Sequence, residues 1–125
     1  MRGSAPQKAT TMALFVPLTA AFSAGQSLSA AVGLGENALH GILMPAVWTP
    51  ANLTFQVSVD GVNYFELFDA FGNEITVIAD AGRYVQLDPV VWRAVNSLII
   101  RSGIQLQPVA QVSATALILM TRISY

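Results

Sequence analysis

From Leu53 to Val59 apolar and polar residues alternate without exception. Leu53, Phe55, Val57 and Val59 take the odd positions, and Thr54, Gln56 and Ser58 the even ones. A period of two puts each set on its own side of an extended strand, whereas a helix would scatter both sets around its axis. The pattern predicts a strand with one buried face. Asp60-Gly61 follows at once, a pair suited to the positive φ of a hairpin turn, and Tyr64–Phe68 resumes the strand pattern. Leu53–Phe68 is therefore expected to form a β-hairpin.

The rest of the chain reads the same way. Strand character runs through Ala13–Phe22, Leu28–Val32, Leu39–Met44, Ile75–Ile78, Arg83–Leu87, Leu98–Arg101 and Val109–Thr121. Turn residues separate these runs: Gly25, Gly33 and Gly35, Pro45, Phe71-Gly72-Asn73, Asp80-Ala81-Gly82 and Ser102-Gly103. In the last run Val112, Ala114, Ala116, Ile118 and Met120 share one face. Asp88-Pro89 pairs an acceptor side chain with a proline suited to the first helical position, so one helical turn is expected over Pro89–Val95, crossing between sheets. No longer helix is supported. About eight strands with closely spaced turns predict an all-β, two-sheet, jelly-roll-like sandwich. Residues 1–12 read as an extended N-terminal arm and 13–125 as a single domain. Met1-Arg2-Gly3-Ser4 also fits the remnant of an expression tag.

Charge is scarce. Only 13 of 125 residues are Lys, Arg, Asp or Glu, while hydrophobic residues make up 54% and the mean hydropathy is +0.55. About 25% charged residues is usual, so much of the surface must be Ala, Thr, Ser, Gln, Val and Leu. A surface of that kind is commonly covered by another protein, and a homo-oligomer or docked subunit is expected over a free monomer. Lys8 is the single lysine and the five arginines are scattered, which gives no basic field for a nucleic-acid backbone. Three uncharged stretches, Ala9–Gly35, Asn37–Val59 and Ser102–Thr121, are long enough to span a bilayer. Each is broken by Pro, Gly, Gln or repeated Ser and Thr, so strands and loops are expected rather than membrane helices.

The residues of common chemistry are sparse. The chain has no cysteine and one histidine, His40, inside an apolar strand, where a structural or interface role is expected. Most carboxylates fall at turns. Asp69–Glu74 loosely suggests a calcium loop but lacks the alternating oxygen ligands. Glu66 and Glu74 remain open as a carboxylate pair of the glycosidase kind. No nucleophile elbow or phosphate-binding glycine loop occurs. No enzyme activity, cofactor or metal is expected. Phe55 and Phe65 are expected in the core.

The hairpin Leu53–Phe68 (LTFQVSVDGVNYFELF) resembles a strand, Asp-Gly turn and aromatic strand found in many phage virion proteins. It also looks like the hairpin of discoidin-type, galactose-binding-like sandwiches, a likeness to which Phe71-Gly72-Asn73 adds. Leu98–Gly103 (LIIRSG), then Pro108-Val109-Ala110-Gln111 and a long last strand, is similar to the end of those same phage proteins. With its small size, apolar surface and arm, the chain resembles head decoration, or cement, proteins. The resemblance implies a structural role on the outer surface of the capsid, with the major capsid protein and further copies of this chain as partners. The expected contacts are Arg2 and Lys8 in the arm, Leu14 and Phe15 in the first strand, and Trp92 and Arg93 at the crossover. The alternatives are a carbohydrate-binding module presenting Trp48, Trp92 or Tyr64, and a tail or fibre subunit.

Overall fold

A computed structural model describes residues 15–123. Nine strands lie in two antiparallel sheets: β1 Phe15–Phe22, β2 Val32–Gly33, β3 Asn37–Leu43, β4 Leu53–Ser58, β5 Phe65–Glu66, β6 Tyr84–Gln86, β7 Ser97–Ile104, β8 Gln107–Pro108 and β9 Thr115–Ile123. The first sheet has the order β1-β9-β3-β6. The second has the order β2-β7-β4-β5, with β8 as a small ribbon on β7. Leaving β8 aside, eight strands pass between two sheets in the order of a jelly roll, as expected.

The core lies between the sheets. Phe22, Leu39, Ile42, Leu117 and Leu119 come from the first sheet, and Leu53, Phe55, Leu98 and Ile100 from the second. Trp48 closes one end, edge-on to Phe22 at 5.5 Å, and Trp92 packs edge-on to Phe55 at 4.9 Å. Edge-to-face packing is a favoured geometry for such rings.

Local signals placed the turns well. Positive φ occurs at Gly25, Gly61, Gly72 and Gly82 in the predicted turns. Asp60 closes the hairpin by accepting from the backbone N–H groups of Val62 and Asn63 at 2.8 and 2.9 Å. Pro89–Trp92 is a single 3-10 turn, capped by the Asp88 side chain, and it carries the chain from the first sheet to the second.

Several expectations are corrected. β4 buries both faces: Thr54 and Ser58 are as enclosed as Leu53 and Phe55, while Val59 is exposed. Ser102-Gly103 does not break β7, which continues to Ile104. Ile75–Ile78 forms no strand; Val77 bridges Leu53, and Ile75 N donates to Leu67 O at 3.1 Å. Leu28–Val32 pairs along β7 only through the Leu28–Arg101 bridge and Val32. The last strand begins at Thr115, and its core face is Leu117, Leu119 and Thr121. Ala116, Ile118 and Met120 face outward, half-buried. His40 marks a one-residue slip in the β3–β9 register, and its carbonyl accepts from Leu87 N at 2.9 Å.

Gln111, in a segment singled out by resemblance, is a structural bolt. Fully buried, it accepts from Thr49 N at 2.8 Å and donates to Thr49 O at 3.0 Å and to Ser102 Oγ at 2.8 Å.

Candidate functional site

The two outer faces of the sandwich differ in kind. On the second sheet, β4 and β7 turn Thr54, Gln56 and Ser58 outward beside Arg101, Ile99 and Ser97, their register partners. These polar groups satisfy one another. The Arg101 guanidinium grips Glu66 through two 2.7 Å bonds. It also reaches Thr54 Oγ1 at 3.3 Å and Glu74 at 3.4 Å. Gln56 donates to Glu66 at 2.9 Å. Ser97 donates to Val32 O at 3.1 Å and shares a 2.6 Å bond with Tyr64. A buried guanidinium is tolerable only when paired and hydrogen-bonded, and this one is. The donors of Arg101, followed by that of Gln56, hold the Glu66 carboxyl below its ordinary range.

Among the described residues, the outer face of the first sheet is apolar and is open along β1 and at Leu43 and Tyr84. Register places Phe15, Pro17, Thr19 and Ala21 of β1 beside Arg122, Met120, Ile118 and Ala116 of β9. Across β9 come Ala38, Gly41 and Leu43 of β3, then Gln86 and Tyr84 of β6. Phe15, Leu43 and Tyr84 are each about half exposed, at 54%, 45% and 47%. The one charged residue in this set is Arg122, at the margin, with its guanidinium over the Phe15 ring at 5.0 Å.

The free edge of this sheet, β1, is blunted. Ala21 O accepts from Ala30 N at 2.9 Å, on the side away from β9. Backbone groups of alternate residues point the same way, so Pro17 also faces the open edge, where it has no N–H to offer. That is where a proline in a sheet belongs, and it discourages strand addition.

The predicted contact residues fall in different places. Phe15 lies on the open face. Arg93 is exposed at the end of the 3-10 turn. Trp92 is a core residue at 2% exposure and presents nothing to a partner. Arg2, Lys8 and Leu14 lie outside the described residues, as does the 1–12 arm. Trp48 is buried too, and Tyr64 is tied to Ser97, so the aromatics considered for sugar stacking form no exposed platform. Phe65, expected inside, is instead largely exposed. Glu66 and Glu74 do come together, with Arg101 between them. Asp69 Oδ1 accepts from Phe71 N at 2.8 Å and from Asn73 N at 3.0 Å, closing the turn.

Pro17, Thr19, Leu43 and Tyr84 are members of one surface that local sequence pattern does not reveal. The absence of charge from their strands was the available signal. Comparison with protein-family models, with curated proteins and with solved structures returned no match.

Proposed function

We propose that this protein is a structural subunit of a larger protein assembly, specifically a decoration, or cement, protein on the outer surface of a phage head. The observation that carries the reading is the contrast between the two outer faces. One is polar with its hydrogen bonds met internally, and the other is apolar and open. A free-standing domain gains nothing from an uncovered apolar sheet, and burying it against protein contributes about 25 cal/mol per Å2.

The hairpin and tail resemblances support the virion setting. So does the jelly-roll order, which recurs in viral capsid and lectin domains. Fold alone does not select between those two; the virion reading is favoured because Trp48 and Trp92 are buried and Tyr64 is tied to Ser97. The mechanism is physical. A protein that binds only the assembled shell stabilises it by mass action, and many modest contacts act together through multivalency.

The test is the copy number of the chain in purified particles, by quantitative mass spectrometry against the main shell protein. One copy per shell subunit, or a simple fraction of it, is expected. A few copies per particle would move the protein to the tail or fibre. Absence from particles would remove the virion setting.

A further inference from the structure

We infer that the open face of the first sheet is covered by a second copy of this chain, packed sheet to sheet about a two-fold axis. The inference rests on the docking role proposed above in taking that face as buried in use, and it names the occupant.

Charge argues for like on like. An acidic protein, a nucleic acid or an anionic membrane would be met by cations, yet among the described residues the face carries Arg122 alone, engaged with Phe15. The partner that suits a face without charge is another such face, and the chain supplies one. A two-fold axis lying between the sheets and perpendicular to the strands sets the two Arg122 side chains at opposite ends of the interface, so they do not repel.

Shape and area agree. Stacked sheets pack about 10 Å apart, which needs modest side chains over most of the contact. Pro17, Thr19, Ala21 and Ala116 provide them, and Phe15, Ile118, Met120, Leu43 and Tyr84 can interdigitate. Four strands of this length cover about 500 Å2 per copy. The pair would bury about 1,000 Å2, near the lower bound for a specific interface, so the dimer is concentration-dependent. The blunted β1 edge disfavours the competing route, edge-to-edge pairing along β1.

Sedimentation equilibrium of the full chain tests this. The expected mass is twice 13.3 kDa at high concentration, falling to the monomer on dilution. Thr19→Glu with Leu43→Glu should raise the dissociation constant about a hundredfold or more, with the far-ultraviolet circular dichroism unchanged. The chain has no cysteine, so Thr19→Cys gives a single spin-label site, and a defined intermolecular distance is expected without placing a charge on the face. A monomer at every concentration, or a dimer that survives the double variant, overturns the inference. Particle binding by the same variant separates the two readings. A monomer whose particle binding the variant abolishes overturns the second copy and leaves docking in place. A dimer the variant dissociates, with particle binding intact, upholds the second copy and moves docking to another surface of the protein.

Discussion

Arg101 and Glu66 meet end-on across the outer face of the second sheet, Nη1 to Oε1 and Nη2 to Oε2, both at 2.7 Å. Their side chains are only 7% and 21% exposed. Glu74 closes the other side and accepts from Gln105 N at 3.1 Å, so one cation fastens β5 and the loop after it onto β7.

Removing that cation should therefore be costly. Arg101→Met leaves two carboxylates facing each other in a half-closed site, and a loss of about 3 kcal/mol is expected from urea unfolding. Adding Glu66→Met should recover part of it, because an apolar pair needs no partner. A single variant within 0.5 kcal/mol of the parent, about the size of an ordinary surface substitution, would show that the cluster fastens nothing.

Acid should loosen the same cluster. The Glu66 carboxyl is held below its ordinary value in the fold, so its contribution is full above the unfolded-state value of about 4.3 and is lost as pH falls through the lower folded value. Asp60 and Asp69, held down by backbone N–H donors, act in the same direction. Unfolding free energies should hold level between pH 7 and pH 5, then fall through pH 4 and pH 3 in the parent, and fall less steeply in Glu66→Gln. Parallel curves for the two proteins would contradict the assignment.

Gly103 separates two reasons for a glycine. Its φ is +97°, and a Cβ there would meet Gln107 O at 2.6 Å and Val109 N at 2.7 Å, both backbone atoms of the β8 ribbon. Gly72 has a φ of +86° with open space around it. Gly72→Ala should cost about 1 kcal/mol of conformational strain. Gly103→Ala should cost about 3 kcal/mol, since backbone must move as well. Equal costs in thermal unfolding would mean that the ribbon yields freely.

Both tryptophans should behave as interior groups. Trp48 donates to Ala51 O at 3.1 Å, and Trp92 sits against Phe55. Emission should be blue-shifted, resist acrylamide and stay constant on titration with mono- and oligosaccharides. Quenching by a sugar would revive the carbohydrate-binding alternative, which needs an aromatic ring at the surface.

The hairpin at Asp60-Gly61, the turns at Gly25, Gly72 and Gly82, and the capped turn after Asp88 were legible in the sequence. Each depends on groups within a few residues of one another, as when the Asp88 side chain accepts from Val90 N at 3.1 Å. The shortage of charge likewise announced an apolar exposed surface. Alternation in β4 showed that the strand has two sides, but not that both would be enclosed. The residue that covers Thr54 is Arg101, brought alongside by the β4–β7 register, and no local pattern encodes that partnership. The same limit put Trp92 at the surface and Phe65 inside, against what the fold does. Strand order, the choice of which outer face is polar, and the gathering of Phe15, Leu43 and Tyr84 onto one open sheet are decisions of the tertiary structure. They depend on which distant strands become neighbours, whereas the periodicity of a strand records only that it has two faces.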